Sequence, residues 1–282
     1  MQKRVLSLLL LNVFFLNSTN VLAKAPLPSK ITGLKMPESV IQAKDSKIYV
    51  SEIGEFGKDG DGQISVVDKK GNVRVFATGM DDPKGLAIIG DKLYVADKNR
   101  ILEVKKDGTW QVYGAQMAFP GTPVFLNDLV ADKQGNLYVS DSGDLKSGGQ
   151  IYKIDKNGVV TLVVDSKNTD ILAPNGLLVE GRNQLLEVDF ESGILYRLNL
   201  TTGATTKMAT GFNGGDGIVK TKAGKIIISD WKTGVIYELV AGKARVIKDG
   251  YKAAADIALM NDGTTLMVPD MKAGELDFID IK

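Results

Sequence analysis

Short runs in which apolar and polar residues alternate recur along this chain, and each ends on an acid. They occupy residues 47–52, 92–97, 136–141, 184–189, 225–230 and 265–270. Their third residues are Tyr49, Tyr94, Tyr138, Leu186, Ile227 and Met267, spaced by 45, 44, 48, 41 and 40 residues. A second run follows each, at 63–67, 100–104, 149–154, 193–198, 234–239 and 274–279, and in five units a third follows a turn. Turns such as Lys70, Gly71 and Asn72, or Lys106, Asp107 and Gly108, separate the runs. Alternation at period two, β-branched and aromatic enrichment and Gly-containing turns spell strand-turn-strand, and no helical period appears after the first residues. Four strands in a unit of this length make one propeller blade. The reading is an all-β, six-bladed β-propeller with no internal domain boundary.

The ends of the chain predict how the ring closes. The last unit stops at Lys282 before its outer strand. Residues 31–38, ending on Pro37 and Glu38, match residues 77–84, ending on Pro83 and Lys84, which run from an outer strand into the next blade. A strand over about residues 28–34 is therefore expected to complete the last blade and leave no open edge.

The same alignment marks one position at the start of the innermost strand of every blade. It is held by Glu38, Lys84, Asn127, Asn175, Asp216 and Ala255, with Asp256 competing for the sixth place by its count to the next strand. In a closed propeller these side chains converge at one mouth of the central channel. Singly, each has a plain structural use: Asn175 with Gly176, or Asp216 with Gly217, is a common turn pair. Together, Glu38 and Asp216 bring two carboxylates and Asn127 and Asn175 two amide carbonyls. That set matches a divalent cation in charge and in ligand type, and two carboxylates left close together without one are costly. One divalent cation is expected, Ca2+ before Mg2+, Mn2+ or Zn2+. Lys84 either pairs with Glu38 or Asp128 or holds a substrate carboxylate, phosphate or oxyanion. Asp128 and Asp256 read as supporting acids, Asp128 also as a substrate contact, and Trp231 as a wall of the pocket. The acids at the strand ends, Asp97, Asp141, Asp189, Asp230 and Asp270, recur too regularly to be chemistry and are assigned to turns.

Composition narrows the chemistry. The chain of 282 residues has no cysteine and no histidine. Disulfides, thiolate sites and every Ser-His-Asp or Cys-His mechanism are excluded, and a metal site must be built from oxygen. Lys and Arg number 35 against 34 Asp and Glu, which favours neither nucleic acid nor an anionic membrane as partner. A small-molecule substrate is the expected partner, and the oligomeric state is left open. Lys3 and Arg4, the apolar run from Val5 to Leu16, and Val21, Leu22 and Ala23 before a cut read as a signal peptide over residues 1–23. The propeller then spans 24–282, and the protein is expected to be periplasmic or secreted, off the membrane once the leader is removed.

Pro37-Glu38, Leu126-Asn127-Asp128, Ala173 to Leu177 and Asp216-Gly217-Ile218 resemble the senescence-marker-protein, gluconolactonase and luciferin-regenerating-enzyme family. The order Glu, Asn, Asn, Asp is also similar to the calcium set of six-bladed phosphotriesterases. The resemblance implies a metal-dependent hydrolase, most often a lactonase. Glu38, Asn175 and Asp216 would be the core ligands, Asn127 would complete the site or touch substrate, and Asp216 would be the base, beside Lys84. Many sugar lactonases of that family carry an Arg where this chain has Phe125, and the loop between Ser142 and Gly149 is short. Both departures imply a smaller or more apolar substrate, with Phe125 against it. Two alternatives stand beside the hydrolase: a non-enzymatic NHL-like propeller that binds a ligand or protein, and a strictosidine-synthase-like scaffold without metal hydrolysis.

Overall fold

The computed structural model describes residues 27–114 and 118–281, so the expected leader lies outside the described residues. The alternating runs form six antiparallel sheets of four strands each. The strands are inner, second, third and outer in chain order, except in the sixth sheet, where the outer strand comes from the N-terminal end. The inner strands are Pro37–Gln42, Pro83–Ile89, Leu126–Ala131, Pro174–Glu180, Gly215–Lys220 and Ala258–Leu259. Each packs against the inner strands on either side, the sixth against the first, so the ring is closed.

The core is distributed, with one cluster of buried apolar residues at each of the six blade-to-blade interfaces. The pleat explains this. Side chains of a strand alternate between faces, so a blade packed on both sides is apolar on both. Val139 faces the cluster shared with Tyr94 and Ala96 of blade 2, while its neighbour Tyr138 joins Leu177 and Leu185 of blade 4. Close packing toward the axis requires glycine at Gly85, Gly176 and Gly217, most tightly at Gly176, where a Cβ would lie 1.9 Å from the Asp216 carbonyl oxygen of the next blade.

The closing strand is Lys30–Thr32, shorter than the expected 28–34. It pairs antiparallel with Glu275–Asp280, with Ile31 opposite Leu276. Ile31 is buried with Leu276, Val40 and Met267, between the last blade and the first. The Leu34 amide donates to the Gly274 carbonyl at 3.0 Å and extends the clasp. Outer strands of the other blades end in solvent, whereas this one ties the two ends of the chain together.

Candidate active site

In five of the six blades the start of the inner strand is held by the acid at the end of the second strand. Asp97 accepts the amides of Asp81 and Asp82, Asp141 those of Val124 and Phe125, Asp189 those of Leu172 and Ala173, and Asp270 those of Lys252 and Ala253. Glu52 accepts the Lys35 amide in the same way, while Asp230 takes that of Thr233. These acids are therefore turn-builders, as their recurrence implies.

Directly after each such turn the ladder carries a bulge. Pro37 pairs with Glu52, and the next pair is Val40 with Val50. The same slip follows Pro83, Leu126, Pro174 and Gly215. An inserted residue bends the strand and re-aims a side chain. Glu38, Lys84, Asn127, Asn175 and Asp216 all sit in these bulges. In the sixth blade the bridge is Ala254 with Asp270, and pairing resumes at Ala258 with Met267. Ala255, not Asp256, thus holds the sixth place, and the extra residue in the count belongs to the hairpin that follows.

Glu38, Lys84, Asn127, Asn175 and Asp216 line one cavity of about 400 Å³. All five are buried, the most exposed being Asn127 at 4%. Ala255 contributes only a methyl group to a small apolar cluster with Ile53, Ala253 and Met271. Asp128 and Asp256, one residue further along, do not line the cavity. Asp128 accepts the Leu129 amide and, across the blade boundary, the Leu177 amide, both at 2.6 Å. Asp256 accepts the Ser39 hydroxyl at 2.5 Å, tying blade 6 to blade 1. The structure therefore places Asp128 as a tie between blades, outside the lining of this cavity.

Two carboxylate oxygens at the floor, Glu38 Oε2 and Asp216 Oδ1, are buried and have no hydrogen-bond partner. Burial, and then the charge of Asp216, hold the Glu38 carboxyl well above the usual range. Burial, then Asp256, Asp128 and Asp230, do the same to Asp216, against the Asn175 amide beside it. Asp256 is raised by burial and by Asp128 and Glu38, and Asp128 to about 6 by burial against its two amide bonds. Glu38, Asp128, Asp216 and Asp256 are four buried carboxyls, and of these only Glu38 interacts with the buried Lys84. A divalent cation or bound protons must supply the balance.

Lys84 does not form the expected pair with Glu38 or Asp128. Its ammonium donates to the Asp82 carbonyl at 3.1 Å and lies 4.2 Å from the centre of the Phe125 ring. Burial lowers its pKa, while Asp82, Glu38 and Asp97 act against that. The amide of Asn127 is oriented from behind. Ser142 Oγ donates to the Pro174 carbonyl at 2.7 Å and accepts from Asn127 Nδ2 at 3.0 Å. With the nitrogen so engaged, the Asn127 carbonyl oxygen is left for the cavity. Among the described residues no three His, Cys, Asp or Glu side chains gather as a metal site. The donor set here is two orphaned carboxylates and two amides, which suits an oxygen-seeking cation.

Above this floor the cavity is walled by Ile53, Phe56, Phe125, Leu145, Phe190, Trp231 and Met271, with Lys232 beside them. Of these only Phe125 and Trp231 stand out in the sequence. Ile53, Phe190, Trp231 and Met271 occupy one repeat position, the residue after the strand-end acid, and that register was the signal for them. A second cleft of about 380 Å³ opens between blades 1 and 2. Its lining carries six Lys or Arg side chains against two Asp, and of the six only Lys47, with Asp45, and Lys106, with Asp91, pair within it.

No protein-family model and no curated protein matches this chain. Solved structures do. A calcium-binding protein, regucalcin, from Agrobacterium tumefaciens superposes with a TM-score of 0.73 at 19% identity, over 91% of this chain and 94% of that one. A gluconolactonase from Xanthomonas campestris superposes with a TM-score of 0.72 at 15% identity, over 89% of each chain. A virginiamycin B lyase from Staphylococcus aureus, bearing a histidine-to-alanine change that makes it catalytically inactive, gives 0.60 at 15%, over 90% and 98%. The fold of this chain is that of the gluconolactonase and regucalcin propellers.

Proposed function

We propose that this protein is an exported, metal-dependent hydrolase of a lactone or related ester, with one divalent cation, calcium foremost, held by Glu38, Asn127, Asn175 and Asp216. The observation that carries this is the pair of buried, partnerless carboxylate oxygens, Glu38 Oε2 and Asp216 Oδ1. Leaving such groups unmet costs free energy, and a cation between them recovers it. The names of two structural neighbours, a calcium-binding protein and a gluconolactonase, support the same reading. The absence of histidine sets the chain apart from the lyase, whose activity a histidine replacement abolishes.

When bound, such a cation polarises a carbonyl and lowers the pKa of a water. The residues supply the rest. Lys84, held by the Asp82 carbonyl, offers the one cationic donor at the floor for an oxygen that gains negative charge. Asp216 is the carboxylate that would accept a proton from water. Asn127, steered by Ser142, presents its carbonyl. The test is thermal melting with calcium, manganese and zinc, before and after chelation. If none raises the melting temperature, the hydrolase reading falls and the non-enzymatic propeller takes its place. If one does, a pH-indicator screen of lactones follows, and activity that survives Asn175→Ala sinks the site assignment. Export is tested by N-terminal sequencing of the mature protein, expected to begin at Lys24.

A further inference from the structure

We infer that the cavity takes a lactone or ester whose body is an apolar ring or alkyl chain without hydroxyl groups, its carbonyl on the polar floor and its body against the wall of Phe190, Trp231 and Met271. This deepens the hydrolase reading and rests on it.

The polar groups of the cavity are confined to one layer. Glu38, Lys84, Asn127, Asn175 and Asp216 all come from the inner-strand bulges, and above them every lining residue except Lys232 is apolar. Two groups of the wall can hydrogen-bond: the Lys232 ammonium, which donates to the Phe190 carbonyl at 3.2 Å, and the indole of Trp231. Its Nε1 is engaged with Met271 Sδ at 3.3 Å. Phe190 and Trp231 lie 6.1 Å apart, tilted by 59°. Lys232 stands 4.3 Å over the Phe190 ring and Lys272 3.9 Å over that of Trp231. Such stacking fixes both rings and leaves the ammonium groups at ring faces.

The opposite side is built as firmly. Leu145 stands in the left-handed region at φ 68°, where a leucine is strained. The loop imposes this: Asp144 accepts the amides of Lys146 and Ser147, and the Leu145 amide donates to the Ser142 carbonyl. The short loop thus delivers an apolar side chain to the cavity. A polyhydroxylated ring placed here would strand hydroxyls against carbon, at a penalty on the order of tenfold in affinity for each. An alkyl or aryl body gains instead from leaving water.

The test uses Trp231 as reporter. The chain has two tryptophans, so Trp110→Phe leaves Trp231 alone. Its fluorescence is titrated, in the calcium-loaded protein, with δ-decanolactone, with the matching cyclic ether that cannot be hydrolysed, and with glucono-δ-lactone. Saturable changes with the first two, at concentrations at least tenfold below any with the third, are expected. Phe190→Ser and Met271→Gln should weaken both apolar ligands about tenfold while the calcium-dependent rise in melting temperature persists, which shows that they fold. Equal or tighter binding of glucono-δ-lactone, or no saturable change with the apolar pair, overturns the inference. Saturable apolar binding without turnover under any metal overturns the hydrolase reading and leaves the ligand class standing.

Discussion

Replacing Asp216 by Asn should stabilise the metal-free protein and abolish its response to calcium. Asp216 is 3% exposed, and its Oδ1 has no partner. Its folded pKa is raised by burial and by Asp256, Asp128 and Asp230. Below the unfolded value, about 3.9, the carboxyl is protonated in both states and has no effect. As pH rises from there to the folded pKa, the unfolded chain ionises more readily and stability is lost. An amide of the same shape removes that loss. The gain at pH 8 in chelator should be about 1–3 kcal/mol, the cost of an unmet buried polar group. For a chain of this size that is about 2–4 °C in Tm for each kcal/mol. At pH 4 wild type and variant should converge. With calcium at a hundredfold excess over Kd, the wild type should gain about 2.7 kcal/mol and Asp216→Asn nothing. Differential scanning calorimetry at both pH values, with and without calcium, reads all four numbers. A variant that melts below wild type in chelator at pH 8 would refute the claim that Asp216 is unmet. Equal calcium gains would refute its role as ligand.

Because Glu38 and Asp216 both hold protons more strongly than usual, calcium binding near neutral pH should release protons and weaken as pH falls; titration calorimetry in two buffers of different ionisation enthalpy measures this, and zero release would contradict the raised pKa values. Glu187 is a buried carboxyl, its pKa held well up by burial and the charge of Asp189 against the backbone amide of Asn175, at a position where the other blades carry Val50, Val95, Val139, Ile228 and Val268. Glu187→Val should stabilise the protein by about 1–3 kcal/mol in urea unfolding and leave the calcium response intact. Ile31→Ala, in the clasp, should cost about 2–5 kcal/mol; a negligible change in the urea midpoint would mean that closure does not depend on this strand. Gly176→Ala places a methyl 1.9 Å from the Asp216 carbonyl oxygen, so it should lower both Tm and calcium response.

Much of this architecture is legible in one dimension because a propeller repeats. Alternating runs at a regular interval report six equivalent blades, and equivalence puts Glu38, Lys84, Asn127, Asn175 and Asp216 at one mouth without knowledge of a single contact. The match of residues 31–38 to 77–84 likewise carries the clasp, since the same hydrogen-bonding edge must be covered at the end of every blade. What equivalence does not carry is the direction of a side chain. Asn127 and Asp128 are neighbours, yet the bulge aims one into the cavity and the other at the Leu177 amide. A count of residues assigns the sixth place ambiguously, and only the bridge of Ala254 to Asp270 awards it to Ala255.

The sequence by itself determined the six-bladed ring, its closure and the polar residues at its mouth, because periodic burial and strand-edge pairing leave a periodic trace. The tertiary structure decided what those residues meet. It gave Lys84 a carbonyl and an aromatic face in place of a carboxylate, left Glu38 and Asp216 each with an oxygen unmet, and raised above them a wall drawn from five blades. Ile53, Phe190, Trp231 and Met271 are far apart along the chain, and only closure of the ring brings them to one cavity.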